Sequence, residues 1–317
     1  MVLIQTEEPT LARVLAAARA HRRGPTPDQR ERFAAWRISH LAGGHNGQIY
    51  RCDAFGAPIC VKLCKLDDRR RAEREWIAMN LLARRLGSLV PCPLGYDPGS
   101  DAPAVTMTFL PGAPLANQDL SSDQLSGLAV TLRQLHRIGH ADAPDVPWQR
   151  IGGARDETSG SILGRLMSWD DRWDVQVAAV AAYRSLRTSW LRSNDRAILS
   201  EPTAPIFSRG DANLANWLWD GDQVRCVDFE YAGWSDRAWD LADLIEGIWA
   251  RPTPDAKWRD FVEQFGLSVG ERRRFAAARR TLALLWVSLL WQRDAPPDQL
   301  WAQVKRARCL LSHTRGD

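Results

Sequence analysis

The sequence predicts an α+β chain in which short antiparallel strands come first and helices dominate the remainder. Three observations carry that expectation. Residues 48–55 and 58–64 are β-prone runs around the Gly56-Ala57 turn, and 104–110 is a third apolar run closed by Pro111-Gly112. Residues 125–138, LSGLAVTLRQLHRI, repeat apolar positions at helical spacing, and helical patterns resume over 162–199 and from 257 to the end. At 317 residues the chain is long enough for two lobes or for one large domain with an ample core.

Taken in order, residues 11–21, LARVLAAARAH, are helix-prone, and Arg23-Gly24-Pro25-Thr26-Pro27 breaks that helix, so residues 1–30 read as a helical amino-terminal extension. A second amphipathic piece, 29–38, leads into His40-Leu41-Ala42-Gly43-Gly44-His45-Asn46-Gly47, a glycine-rich turn ahead of the paired strands. The turn is not GxGxxG, and a plain hairpin accounts for it equally well when it is taken alone. Lys62 then stands in an otherwise apolar strand, Pro58-Ile59-Cys60-Val61-Lys62, where lysine seldom goes without an anionic partner. The alternative is an edge strand with Lys62 facing water. Strand alternation puts Cys60 and Cys64 on the side of Lys62. A helix over 67–86 comes next, then an extended connector at 90–93, and residues 139–160, rich in Asp, Pro and Gly, read as loop.

Composition excludes several classes. Hydrophobic residues make up 45% and charged residues 25%, which is the balance of a globular chain, and no apolar run is long enough to span a bilayer. The start, MVLIQTEEPTLARV, lacks the basic and apolar segments of a signal peptide, so a cytoplasmic location is expected. The six cysteines show no CxxC pair and are read as reduced thiols. A net charge of +4 and the groups Arg69 to Arg71, Arg84-Arg85, Arg272 to Arg274 and Arg279-Arg280 raise the question of nucleic acid, but they lie on helix-like segments where charge runs form solvated faces. Residues 211–246 carry nine carboxylates against Arg225 and Arg237 alone, a region that repels a polyanion and attracts cations. Neither nucleic acid nor membrane is therefore expected as a partner.

The same region carries the chemistry. In FSRGDANLANWLWDGDQVRCVDFEYAGWSDRAWDLADLIE, Asp211 precedes Asn216 by five residues, and Asp228 ends the apolar run 224–227. Asp220-Gly221 between two apolar runs is a hairpin signal, and a hairpin there brings Asn216 back beside Asp228. A nucleoside triphosphate must have its charge neutralised while its terminal phosphoryl is passed in line to an acceptor. Magnesium takes hard oxygen ligands, usually only one or two from protein, and an Asn carbonyl with an Asp carboxylate suits it. The loop carboxylate is then left to accept the acceptor's proton.

This set closely resembles the motif of the kinase-like aminoglycoside phosphotransferases and choline kinases, which runs His-Gly-Asp, four residues, Asn, then Asp at a strand end and Asp-Leu-Ala further on. The matching residues are Arg209-Gly210-Asp211, Asn216, Asp228 and Asp240-Leu241-Ala242, and the resemblance extends over roughly residues 38 to 250. It implies a two-lobed protein-kinase-like fold, with an N-lobe over 31–106 built on a small antiparallel sheet and a mainly helical C-lobe over 107–317. It implies ATP and Mg2+ as cofactors, GTP remaining open as the donor. Asp211 becomes the catalytic residue, and Asn216 and Asp228 the metal ligands. Lys62 reaches the phosphates and is aligned by Glu75 of the next helix, with Glu73 as a rival on another face of that helix. Gly44 belongs to the turn that folds over the triphosphate, Cys60 lines the adenine pocket, and Met107, Thr108 and Leu110 form the hinge that pairs with the base.

Arg209 is a departure, since the family usually has histidine there. The resemblance implies a bracing role for that residue, which arginine can fill through a carboxylate such as Asp240. Asp240 itself is expected to open a helix over 241–249, capping its amides or holding Arg209. His136 ends the preceding helix as Leu135-His136 and either supports the catalytic loop or is a satisfied packing histidine.

The acceptor is implied to be a hydroxyl on a small cationic molecule. Glu230, Asp243 and Glu246 lie near or beyond the metal aspartate, where family members gather groups that hold amines. The chain has 15 tryptophans, and Trp249, with Trp234, Trp239, Trp286 and Trp291, falls where substrate pockets form in the family. An indole face attracts a quaternary ammonium by about 0.5–2 kcal/mol, although tryptophans at helical spacing are more often core. An aminoglycoside-type antibiotic comes first and choline or ethanolamine second. From another class, Arg209 and the loose glycine turn suggest a nucleotide-binding regulatory protein without catalysis. The oligomeric state is not legible.

Overall fold

The computed structural model describes residues 9–43, 47–99, 102–143 and 178–312. The chain divides into two units, one running to Ala113 and including Leu218–Ala232, the other formed by Pro114–Trp217 and the chain from Gly233 onwards.

The first unit is built on an antiparallel sheet of β1 (Ile38–Gly43), β2 (Gly47–Cys52), β3 (Ile59–Cys64), β4 (Pro93–Asp97) and β5 (Ala104–Thr108), in the order β1-β2-β3-β5-β4. Lys62 lies between Ile49 of β2 and Val105 of β5, so the edge-strand alternative does not hold. Two strands were not expected. β1 carries an irregularity between His40 and Ala42, and β4, PLGYD, carries one between Pro93 and Gly95, which suits the edge strands they are.

Helices α1 (Leu11–Arg22) and α2 (Pro27–Ala35) precede the sheet. Pro27 opens α2, and Thr26 and Gln29 cap it reciprocally. Val14, Leu15, Ala17 and Ala18 of α1 share a core with Tyr50, Val61 and Leu63. Arg19 donates to Asp97 at 3.0 Å and to the carbonyl of Ala102. The described part of the expected extension is therefore packed into the sheet unit. Residues 107–113 and 218–232 also belong to that unit. Helix α3 (Arg71–Leu86) follows β3. In the returning segment, Trp217–Trp219 and Val224–Cys226 make the expected hairpin strands. Asp220 accepts from the backbone N–H groups of Asp222 and Gln223 at 3.0 and 2.9 Å, and Gly221 supplies the positive φ of +104° that the turn needs.

The second unit holds α4 (Ser122–His136), α5 (Ala178–Leu191), α6 (Asp195–Ser200), α7 (Arg237–Glu246), α8 (Asp255–Glu263), α9 (Val269–Gln292) and α10 (Pro297–Ser312), with strand β6 (Ile206–Ser208) paired to β7 (Gly233–Ser235). Residues 162–177 of the expected helical run lie outside the described residues. Helix α9 packs against α5, α6, α7 and α10, so it is apolar on several sides: Ala277, Leu282, Leu284 and Leu290 are all buried in one core with Tyr183, Trp190, Trp239 and Val304. The indole of Trp190 donates to Thr281 at 2.9 Å, which satisfies a buried polar atom.

Two expectations about helical segments are corrected. Helix α7 starts at Arg237 instead of 241, because Asp236 caps it by accepting from the N–H of Trp239 at 2.9 Å while its other oxygen takes Arg274. Several arginines read as solvated are internal: Arg71 and Arg274 are buried, and Arg279 and Arg280 pair with Glu246 and Asp195. Among the described residues no helix is long and apolar enough to cross a membrane. All six cysteines are free.

Candidate functional site

In the first unit the side chains converge on Lys62. Its ammonium hydrogen-bonds to Asp228 at 2.6 Å and stands 2.7 Å from Glu75 and 3.0 Å from Glu230. Burial works against the charge on Lys62, yet Asp228, Glu75 and Glu230 outweigh it and hold its pKa well above the ordinary value. Burial drives the Glu75 carboxyl upward, and Lys62 offsets this only in part. Glu75 is buried on α3 and is the glutamate that meets Lys62, whereas Glu73 pairs with Arg70. Asp228 has a left-handed backbone, φ +67°, a conformation that costs a non-glycine residue on the order of 1–3 kcal/mol and is kept where the surroundings over-determine it.

Glu230, expected beside the acceptor, is buried between two cations: Lys62 on one oxygen and Arg71 at 2.7 Å on the other. Cys60 and Cys64 flank Lys62 along the strand, and burial pushes both thiols up to about 12, so they remain protonated. Met107 is buried opposite Cys60. The backbone N–H of Thr108 is taken by the carbonyl of Cys92 at 3.0 Å and that of Phe109 by Pro58, while the backbone of Leu110 has no hydrogen-bond partner among the described residues. Gly44 lies outside the described residues.

In the second unit the loop after β6 is held from within. Asp211 Oδ1 accepts from the N–H of Asn213 at 3.0 Å and Oδ2 from the side-chain amide of Asn216 at 2.9 Å. The five-residue spacing works because Leu214–Asn216 is a 3-10 turn, capped by Asn213, that folds Asn216 back onto Asp211. The buried Arg209 guanidinium donates to the carbonyl oxygens of Asp211 and Asn216 at 2.9 and 3.4 Å and lies over the Trp217 ring, 5.2 Å from its centroid. Arg209 thus braces the loop through its carbonyl oxygens and not through Asp240. Asp240 instead accepts from the Ser208 hydroxyl and bonds His136 Nε2 at 2.8 Å, and Ser208 accepts from the N–H of Gly210 at 3.0 Å. His136 is therefore a support of the loop as well as a packed ring.

Asp243 stands one turn beyond Asp240 in α7. It shares a small cavity, of about 20 Å3, with Arg209, Asp211, Trp217 and Asp240, room for about one water. Its carboxylate has no hydrogen-bond partner among the described residues. Burial first, then the neighbouring charges of Asp240 and Asp211, raise its pKa to about 7 against the pull of Arg209. Glu246, by contrast, is fully buried and accepts from Arg279 at 2.7 Å, Arg306 at 2.6 and 2.9 Å and Arg251 at 3.4 Å. Those arginines outweigh burial and hold it below the usual carboxylate range, so its charge is already taken. Trp234, Trp239 and Trp286 are core; Trp249 is half-buried, edge-on to Trp286 at 5.5 Å.

Sequence reading missed Arg71 and Ser208. For Arg71 a signal existed: Asp67, Arg71 and Glu75 recur at four-residue spacing, which sets a cation between two carboxylates on one helix face. For Ser208 none did.

A lysine at the centre of a five-stranded sheet with its helix-borne glutamate, and an Asp-Asn loop in a helical unit, define a kinase-like phosphotransferase. The family model of the phosphotransferase enzyme family (APH) matches residues 37–285, and the chain belongs to that family. No curated protein matches the sequence significantly. Similar solved structures include a choline/ethanolamine kinase family protein from Mesorhizobium loti, 17% identical over 94% of each chain with a TM-score of 0.60. Macrolide 2'-phosphotransferase MphH from Brachybacterium faecium is 16% identical over 92% of this chain and 97% of its own, TM-score 0.58. Spectinomycin phosphotransferase APH(9)-Ia, solved with ADP and spectinomycin, is 13% identical over 87% and 91%, TM-score 0.57. These likenesses establish the protein-kinase-like α+β fold.

Proposed function

We propose that the chain transfers the γ-phosphoryl group of ATP to a hydroxyl of a small cationic molecule, of the aminoglycoside or amino-alcohol kind. The observation that carries this reading is the Asp211 carboxylate, held at both oxygens by Asn213 and Asn216 in a loop braced by Arg209. A carboxylate fixed in this way orients an acceptor hydroxyl and takes its proton as the phosphoryl is transferred. Lys62 binds the nucleotide's phosphates with Glu75 aligning it, and the unpartnered backbone of Leu110 pairs with the adenine edge, alongside Met107, Thr108 and Cys60. Gly44 is assigned to the turn over the phosphates.

Asn216 and Asp228 are proposed as ligands of Mg2+, and their chemistry fits. The Asn216 amide nitrogen is spent on Asp211, which leaves its carbonyl oxygen for a cation, and Asp228 offers a second hard oxygen. When bound, the ion neutralises charge on the phosphates. Asp243, a carboxylate without a partner beside Asp211, supports a cationic acceptor, and Trp249 is proposed to cover it. Glu246 is left out because three arginines hold it, and Glu230 because Lys62 and Arg71 do.

The test is ADP release with Mg2+ and ATP across panels of aminoglycosides, macrolides, choline and ethanolamine. Acceptor-dependent turnover with an amine-bearing alcohol is expected, lowered about 10²- to 10⁴-fold in Asp211→Asn. Tight ATP binding without turnover on any acceptor would overturn it in favour of a regulatory protein.

A further inference from the structure

Four charged side chains meet where the proposed function uses three. Lys62 stands within 3.0 Å of three buried or half-buried carboxylates, Asp228, Glu75 and Glu230. In the proposed function, Asp228 turns to the metal and Lys62, aligned by Glu75, turns to the phosphates. That leaves Glu230, which is 3% exposed and sits on the same ammonium. A carboxylate buried without a partner is strongly unfavourable, so an unassisted Glu230 holds Lys62 back from any anionic ligand.

Arg71 meets this need. It is 5% exposed, and its Nη1 donates to the Glu230 oxygen that Lys62 does not face, at 2.7 Å. The guanidinium is itself fixed on three sides: Nε donates to Asp67 at 2.9 Å, Nη1 to the Tyr231 hydroxyl at 2.5 Å, and its plane lies over the Tyr231 ring, 4.9 Å from the centroid. Arginine suits the place because its planar fork serves several acceptors at once and stacks on an aromatic face. Arg71 is the first residue of α3 and Glu75 lies one turn on, so one helix face delivers both the cation for Glu230 and the carboxylate for Lys62. The left-handed backbone of Arg70, φ 50°, turns the chain into that helix and sets Arg71 inward.

We infer that Arg71 is a positioning residue that neutralises Glu230 and thereby frees Lys62 for the nucleotide phosphates. The inference rests on the nucleotide-binding role proposed for Lys62. It differs from a plain anchoring role for Arg71, because it makes the charge of Glu230 the cause of any loss.

The experiment measures Mg·ATP affinity by calorimetry for the full chain, for Arg71→Met and for Arg71→Met/Glu230→Gln, with circular dichroism as the check on folding. Wild type is expected to bind, Arg71→Met to bind at least about tenfold more weakly, and the double variant to return to within about threefold of wild type, as removal of one of two coupled charges and then both demands. Should Arg71→Met not fold, Arg71→Lys replaces it, and is expected to lie between wild type and a loss that Glu230→Gln again restores. Arg71→Met binding as wild type, or a double variant as weak as the single one, overturns the inference and leaves nucleotide binding by Lys62 standing. A wild-type protein that does not bind Mg·ATP overturns both.

Discussion

Replacing Asp243 by Asn removes a carboxyl group that the fold keeps protonated up to about pH 7. Its pKa of about 7, against an ordinary 3.8, means that the folded protein binds a proton between these values which the unfolded chain has released. The contribution to stability is whole below about pH 4 and is lost as pH rises through about 7. Roughly three pH units at about 1.36 kcal/mol each give an upper limit of about 4 kcal/mol. Asp243 is half-buried, and solvent screening reduces this to about 2 kcal/mol. Asparagine keeps the shape and has no proton to lose. Urea unfolding of both proteins at intervals from pH 4.5 to 8.5, followed by tryptophan fluorescence, measures the difference in stability. The Asp243→Asn variant is expected to gain on wild type by about 2 kcal/mol across that range. Glu75, also raised by burial, is common to both proteins and cancels in the difference. A difference that stays flat within about 0.5 kcal/mol, the scatter of an inert surface change, refutes the account of Asp243.

Three further outcomes are expected. Asp228→Ala removes a proposed metal ligand and should abolish turnover together with its response to Mg2+; an unchanged magnesium titration contradicts the assignment. Arg209→His should keep activity near wild type, since the guanidinium serves loop carbonyl oxygens, and complete loss in a folded variant would mean direct contact with phosphate or acceptor. Glu246→Ala leaves Arg251, Arg279 and Arg306 without their shared carboxylate and should destabilise the chain by about 3–5 kcal/mol in urea unfolding, a loss below about 1 kcal/mol counting against a structural role.

The sequence by itself determined the central elements, because their signals are local. The apolar, β-prone run of β3, the Asp220-Gly221 hairpin, the apolar period of α4 and the Arg209-Gly210-Asp211…Asn216 spacing all act over a few residues, and the structure has an element at each. Strands β1 and β4 escaped because their bulges and small or Pro residues break the alternation, and pairing with a neighbour makes strands of them. Only tertiary structure decided what each charge is for. Glu230 and Glu246 read alike as acids awaiting an amine, yet the distant Lys62 and Arg71 claim one, and the distant Arg279 and Arg306, with the nearby Arg251, claim the other. Arg71 reads as part of a solvated run and lies inside. Asp243 looks like its neighbours, yet its carboxylate has no hydrogen-bond partner among the described residues. Burial and pairing set the behaviour of a charge, and both are properties of residues distant in sequence that folding brings within about 3 Å, where no local pattern can register them.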